Sequence, residues 1–243
     1  MKHKALILMA LLLPLGIAAQ SDSAAIRIVE RYLDIMNIKA LPTDSMLVVN
    51  TQIIYPQSGD TMNMKRLYAP PQMFRIEVYD NKGLLQTGLC GNGGTRGYVF
   101  SSKFDTWRTV TSESFFERLS GFDVRGPLYN WQSNNAYLTY RGKTEYKGQY
   151  LDAVYYTAPG AFKRTYFFEE SGMLSLIVEE DSVDEGFSAL RDAHIDWKCI
   201  HEYSVVGPAI LPSLESFMRE NTLTVMRSEM HLEKRDDQQF TQD

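Results

Sequence analysis

Residues 137–181 have the sequence YLTYRGKTEYKGQYLDAVYYTAPGAFKRTYFFEESGMLSLIVEED, and this stretch decides the fold. It contains four runs rich in Tyr, Phe, Val and Thr, the residue types that favour strands. Short turns with a glycine at 147–148, 159–160 and 171–172 separate the runs, because glycine supplies the dihedral angles that a chain reversal needs. Four consecutive antiparallel strands are therefore predicted, over 137–146, 150–157, 162–169 and 173–180.

Both faces of this predicted meander carry aromatic side chains. Successive strand residues face opposite sides, so Tyr166 and Phe168 share one face of the third strand while Phe167 lies on the other. A sheet that is apolar on both sides has to be covered by other elements or to line a cavity. The sequence therefore predicts a sheet whose concave side is filled or covered.

The rest of the chain continues the antiparallel pattern around two amphipathic segments. Apolar residues at three- and four-residue spacing predict helices over 24–37 and 112–121, the first capped by Asp22 or Ser23. We expect both helices to pack on the concave side of one strongly curved sheet, an α+β fold in a single domain over residues 20–243. Closely spaced turn signals predict the other strands, over 45–55, 61–68, 73–80, 84–90, 95–100, 107–110, 194–205, 216–220 and 222–232.

Residues 1–19 have the pattern of a secretory signal peptide. Two lysines precede an apolar run over 5–17, and the small residues Ala18 and Ala19 follow it. The run is shorter than the about 20 apolar residues of a membrane span, and no later stretch approaches that length. No cysteine near the cleavage region is available for lipid attachment. We expect cleavage near Ala19 or Gln20 and a periplasmic protein without a lipid anchor; an uncleaved N-terminal anchor is the alternative.

Charge and cysteine usage narrow the classes of partner. The net charge is −5 with both signs interspersed, which argues against a nucleic-acid partner. Cys90 and Cys199 each lie in a strand-like run. A disulfide in an oxidising compartment and two buried free thiols both remain open at this point.

The sequence contains no motif of a catalytic or metal site. It has no CxxC, HExxH or GxSxG pattern. His194 and His201 are seven residues apart on a predicted strand and so face opposite sides, a poor arrangement for a metal. The glycine-rich turn at 91–94 precedes a strand, so it lacks the helix N-terminus that would hold a phosphate. We expect a protein that is not an enzyme and that needs no cofactor or metal.

Soft apolar side chains are the most distinctive part of the composition. Nine of the eleven methionines lie after residue 19, alongside 14 Tyr and 12 Phe in the whole chain. Met62 and Met64 share one face of a predicted strand. Such side chains adapt their shape, which suits the lining of a site for a flexible apolar ligand. Core packing explains each of these residues individually just as well.

The order of these elements resembles the periplasmic outer-membrane lipoprotein carriers, the LolA-like and LolB-like proteins. The resemblance covers residues 24–240 and rests on APPQMFRIEV at 69–78, GNGGTRGYVF at 91–100, APGAFKRTYFF at 158–168 and a turn near Leu211-Pro212. It implies an incomplete antiparallel β-barrel whose apolar concave face is covered by helices that act as a lid. The implied function is to shield the acyl chains of a lipoprotein, or another lipid, between an inner-membrane donor and an outer-membrane acceptor.

On this sequence the resemblance assigns the lid to residues 112–122 and the N-terminal helix. The carriers commonly have an arginine just before the proline of this motif, whereas Ala69 and Pro70 precede Pro71 here and the nearest arginines are Arg66 and Arg75, so their lid latch is not carried over. The same fold without cargo transfer, as a scaffolding or lipid-sensing module filled by its own side chains, is the alternative. The implied ligand-binding residues are Met62, Met64, Phe74, Ile76, Val78, Phe115, Phe116, Leu119, Phe122 and Phe167.

Overall fold

The computed structural model describes residues 21–70, 73–92, 97–110, 124–126, 128–133, 135–158, 163–180, 197–219 and 221–240. These residues form one antiparallel sheet of thirteen strands and one α-helix. The predicted signal peptide and the predicted helix over 112–121, with Phe115, Phe116, Leu119 and the following Phe122, lie outside the described residues.

Two meanders make up the sheet. The first runs from β1 to β6 and the second from β7 to β13, and pairing of β1 with β13 joins them, so that β6 and β7 are the two edges. The barrel is therefore incomplete, as predicted. The strands are β1 Ser45–Tyr55, β2 Asp60–Ala69, β3 Met73–Tyr79, β4 Leu85–Asn92, β5 Gly97–Ser101, β6 Thr106–Val110, β7 Tyr137–Tyr146, β8 Gln149–Thr157, β9 Lys163–Phe168, β10 Leu174–Glu180, β11 Trp197–Val206, β12 Ala209–Arg219 and β13 Thr222–Lys234.

The predicted strands are confirmed to within a few residues, with one exception. The turn predicted near Leu211-Pro212 is wrong, because Pro212 lies inside β12 opposite Tyr203. The β11–β12 register shifts at Glu202 and Tyr203, and a proline is tolerated where the ladder is irregular because it has no N–H to donate. The strand predicted over 216–220 therefore begins earlier, at Ala209.

Helix α1 spans Ser23–Met36 and confirms the predicted N-terminal helix. Asp22 is its N-cap, with an extended backbone and a carboxylate that accepts a hydrogen bond from the Ala24 N–H at 2.7 Å. The helix ends at Asn37, whose φ of 49° places it in the left-handed region and whose N–H donates to the Leu33 carbonyl. Both ends of the helix are thus satisfied locally.

The sheet curves around α1. The helix contacts β12, β8 and β7, which span six neighbouring strands. The buried cluster around the helix extends further, from Tyr68 on β2 to Leu138 on β7, a range of nine neighbouring strands. In a flat sheet nine strands would cover about 38 Å at 4.7–4.9 Å per spacing, whereas a helix of 14 residues is about 21 Å long. The sheet therefore bends around α1, which lies on the concave face, as predicted. This face holds the helix-covered core, which includes Val29, Tyr32, Leu47, Val49, Leu138, Val154, Tyr166 and Phe168.

The convex face carries apolar clusters of its own, so both faces are apolar, as predicted. Phe167 lies there, 2% exposed, in a cluster with Leu151, Leu176 and Cys199. Cys199 is a free thiol. In a second cluster, Phe240 of the C-terminal turn Asp237–Phe240 packs on β1 and β2.

Candidate functional site

The strand register divides the concave face of β1 into three zones. Leu47 and Val49 belong to the helix-covered core, and the pairing of β1 with β2 and β13 is uninterrupted from there to Ile54. Every second residue therefore stays on the concave face. Along the concave face of β1, the apolar zone of Leu47 and Val49 is followed by the polar Thr51. A second apolar zone begins at Ile53.

The second apolar zone gathers most of the predicted ligand-binding residues. We call it the apolar patch. Met64 pairs with Val78, and Met62 with Ile53, across neighbouring strands. Met64 and Ile76 are buried, while Met62, Phe74 and Val78 are partly exposed. The patch consists of Ile53, Tyr55, Met62, Met64, Phe74, Ile76, Val78, Val99 and Met226.

Two paired glycines, Gly91 and Gly97, lie beside Phe74 of the patch. Gly91 on β4 is paired with Phe74 on one side and with Gly97 of β5 on the other. The Phe74 ring lies on the Gly91 backbone so closely that a Cβ at position 91 would be 2.6 Å from the ring Cζ. The ring therefore occupies the space above a strand that has no side chain there.

A polar belt separates the apolar patch from the helix-covered core. It consists of Arg66 on β2, Thr51 on β1, Ser228 on β13, Glu215 on β12 and Lys198 on β11. Arg66 Nη2 donates to Thr51 Oγ1 at 3.2 Å, and the Thr51 and Ser228 hydroxyls are hydrogen-bonded at 2.8 Å. Lys198 Nζ lies 2.6 Å from Glu215 Oε1. The belt thus crosses five strands.

Glu215, the acidic residue of the belt, lies near helix α1. Glu215 is 4% exposed. Burial is the main cause that raises the pKa of the Tyr32 hydroxyl on α1, and the negative charge of Glu215 adds to it. Burial raises the pKa of Tyr203 as well, with smaller contributions from Tyr32 and Glu215. Both phenols stay protonated at neutral pH, and the charge of Glu215 is balanced by Lys198.

The structure brings five of the ten predicted residues together. Met62, Met64, Phe74, Ile76 and Val78 all lie in the apolar patch. Phe167 is not part of it, because its position on β9 points it to the convex face. The other four, Phe115, Phe116, Leu119 and Phe122, lie outside the described residues and stay a prediction.

Sequence reasoning missed the polar belt. Its members come from positions 51, 66, 198, 215 and 228 and share no motif, and only the register of five strands aligns them. The alternation within β2 was the available signal, because Arg66 has the same parity as Met62 and Met64. Tyr55, Val99 and Met226 were missed for the same reason.

In the described part of the chain, no helix is long and apolar enough to cross a membrane. The same residues contain no group of three His, Cys, Asp or Glu side chains placed to hold a metal ion.

Comparison with known proteins identifies the fold through structures rather than sequences. No family model matches the chain, and no curated protein sequence matches it. A LolA superfamily protein from Nitrosomonas europaea is similar in structure, with a TM-score of 0.58 and 14% identity over 89% of this chain and 97% of that one. A DUF1329 family protein from Desulfovibrio piger has a TM-score of 0.57 and 11% identity, with the same coverage of both chains.

A third solved structure is a domain from Vibrio parahaemolyticus named for outer membrane lipoprotein sorting. Its TM-score is 0.55 at 10% identity, over 88% of this chain and 97% of that one. Together with the open thirteen-stranded sheet and the helix on its concave face, these likenesses show that the chain has a LolA-like fold.

Proposed function

We propose that this protein is an exported carrier that shields the acyl chains of a lipoprotein, or of another lipid, on the apolar patch of its concave face. The observation that carries the proposal is the assembly of Met62, Met64, Phe74, Ile76 and Val78 into one partly exposed apolar surface. The likeness to a domain named for lipoprotein sorting supports it. In this proposal the protein is not an enzyme.

The energetics of acyl chains explain why a carrier needs such a surface. Burial of a CH₂ group is worth about 0.8 kcal/mol, so a sixteen-carbon chain in water costs roughly 12 kcal/mol relative to a buried one. Methionines suit a flexible chain, because their unbranched side chains adapt to its shape. Exchange between two apolar environments then requires no chemical energy from the carrier.

The route and the lid belong to the same proposal. Removal of residues 1–19 would release the protein into the periplasm. There an inner-membrane donor would supply the acylated cargo and an outer-membrane acceptor would receive it. The predicted helix over 112–121 would be the lid, with Phe115, Phe116 and Leu119 against the acyl chains and Phe122 beside them.

The test is a charge placed on the patch of the mature protein. Val78 is partly exposed, so Val78→Glu introduces a carboxylate on the ligand surface without emptying the core. Because an unpaired charge against hydrocarbon is strongly unfavourable, we expect affinity for a fluorescent fatty-acid probe to fall at least tenfold. Val205→Glu is the matched control, since Val205 is 75% exposed and lies outside the patch, and its affinity should not change.

Stability and bound lipid complete the experiment. Both variants should have melting temperatures close to the original, and the nearly isosteric Val78→Thr should weaken binding in the same direction by a smaller factor. Native mass spectrometry should detect acyl lipid bound to the purified protein. A lipid-free protein that also fails to bind the probe would contradict the proposal and favour a scaffolding module with the same fold.

A further inference from the structure

Two of the three methionines in the apolar patch are partly exposed to solvent. Met62 on β2 and Met226 on β13 are both paired with Ile53 of β1, so they flank it on the concave face. Met64, the third methionine of the patch, is only 3% exposed. Small oxidants such as hydrogen peroxide convert accessible methionines to methionine sulfoxide. The patch therefore contains both accessible and protected thioethers.

Met62 has a hydrogen-bond donor at its sulfur. The Tyr55 hydroxyl donates to Met62 Sδ at 3.8 Å. The β1–β2 hairpin turn holds the tyrosine backbone in place, because the N–H groups of Ser58 and Gly59 both donate to the Tyr55 carbonyl. A thioether is only a weak acceptor, whereas the oxygen of a sulfoxide is polar and accepts a full hydrogen bond. The same hydroxyl is thus placed to bind the oxidised side chain more strongly than the reduced one.

We infer that Met62 is an oxidation site, and that its conversion to methionine sulfoxide lowers the affinity of the apolar patch for acyl chains. A lone pair of Sδ attacks one oxygen of hydrogen peroxide, the O–O bond breaks, and the other oxygen leaves as water once it has taken up the proton. The sulfur loses two electrons and the peroxide gains them. This inference rests on the proposed function, because it describes how ligand binding to the same surface is controlled.

The loss of affinity follows from the polarity of the sulfoxide oxygen. Its neighbours in the patch include Ile53 and Met226, so a bound acyl chain would cover the oxygen with hydrocarbon. A covered polar group loses its contact with water, and one hydrogen bond from Tyr55 replaces that contact only in part. Enzymatic reduction of the sulfoxide restores the thioether, so the change is reversible and can act as a switch.

The test compares the reduced and oxidised forms of the mature protein. All proteins carry Met226→Leu, a volume-conserving change, so that Met62 is the one partly exposed methionine of the patch. Peptide mass spectrometry should show that hydrogen peroxide oxidises Met62 before the buried Met64. The affinity for a fluorescent fatty-acid probe should then fall about tenfold. Treatment with a methionine sulfoxide reductase and dithiothreitol should restore it.

Met62→Leu is the matched control, because leucine keeps the apolar volume and has no sulfur to oxidise. Its probe affinity should be close to that of the parent before peroxide treatment and should not change afterwards. Met64→Leu removes the buried sulfur and should leave the peroxide effect intact. Met62→Gln places a permanent amide oxygen near the Tyr55 hydroxyl and should weaken binding without any oxidant.

Tyr55→Phe tests the contribution of the hydroxyl. The sulfoxide of Met62 loses its hydrogen-bond donor in this variant. Oxidation should therefore lower the melting temperature by about 2–4 °C more than it does in the parent with Tyr55. Equal decreases in the two proteins would overturn the assignment of Tyr55 as the partner of the sulfoxide.

The outcomes separate this inference from the proposed function. Equal oxidation rates of Met62 and Met64 would overturn the oxidation site and leave the carrier proposal standing. Unchanged probe affinity after oxidation of Met62 would do the same, and so would an equal loss of affinity in Met62→Leu. If the reduced protein does not bind the probe at all, the proposed function itself fails and this inference falls with it.

Discussion

Gly91→Ala tests how the apolar patch is built, because it acts directly on Phe74. A Cβ at position 91 would lie 2.6 Å from Cζ and 2.8 Å from Cε1 of the Phe74 ring. Carbon atoms in contact are about 3.5–4.0 Å apart, so the ring has to move by about 1 Å. Gly91 does not have a left-handed backbone, and alanine is compatible with its conformation.

Two opposing effects set the expected magnitude. Displacement of the ring costs about 1–3 kcal/mol by overpacking, and the low end applies because Phe74 is partly exposed and can shift outwards. Replacing glycine by alanine stabilises by about 0.4–1 kcal/mol through the unfolded chain. We expect Gly91→Ala to lower the free energy of unfolding by about 0.5 kcal/mol, the difference between the two effects. In a Phe74→Ala background the clash is absent, so the same substitution should raise stability by about 0.5 kcal/mol.

Urea unfolding of the two single variants and the double variant measures this change of sign. Gly88→Ala is the control on the same strand: its Cβ would be 2.5 Å from Trp107 on the opposite face, so its effect should not depend on Phe74. Additive effects of Gly91→Ala and Phe74→Ala would refute the contact between the ring and the β4 backbone. They would also remove the argument that the Phe74 ring occupies the space above Gly91.

Two further predictions concern the scaffold around the site. Asp22→Ala removes the cap of α1 and should lower the free energy of unfolding by about 1 kcal/mol, whereas Asp22→Asn keeps a capping side chain and should be nearly neutral. If urea unfolding shows the same loss of free energy for both variants, the cap hydrogen bond contributes nothing. Burial raises the pKa of the Cys199 thiol in the folded protein above that in the unfolded chain. The free energy of unfolding should therefore be unaffected by this group at neutral pH and should fall as the pH rises above the pKa of the unfolded thiol, because the unfolded chain then loses the proton first. In a Cys90→Ser variant at pH 8, iodoacetamide should therefore label Cys199 only after unfolding, and labelling of the native protein at the rate of an exposed thiol would contradict this.

Local patterns were sufficient to predict the strands and the helix, because turn residues and side-chain periodicity act over a few residues. The bounds of β1 and β7 were predicted to the residue, and the cap of α1, Asp22, is one of the two residues that the sequence predicted for it. Pro212 is the instructive failure. A proline is a turn signal in isolation, and only the irregular pairing of β12 with Tyr203 on β11 makes it compatible with a strand.

The candidate site was predictable only in part, because a site on a sheet depends on which face is concave. Alternation correctly placed Phe167 and Phe168 on opposite faces, but it does not identify the face on which α1 docks. The resemblance supplied that information for Phe74, Ile76 and Val78 of β3, whereas Met62 and Met64 of β2 were predicted from their residue type and their shared strand face. The hydroxyls of Thr51 and Ser228 meet across 177 positions of sequence, and no local pattern predicts such a contact.

The polar belt explains how one sheet can hold both a helix-covered core and a separate apolar patch. A helix of 14 residues is about 21 Å long, and α1 covers the half of the sheet formed by β7 to β12. Without the belt, the apolar side chains of β1 and β13 would form one continuous surface from Leu47 to Ile53. The hydrogen bond between Thr51 and Ser228 and the ion pair of Glu215 end the core at a defined row. Because polar groups buried in that row have to keep their partners, the helix-covered core ends there and does not extend into the patch.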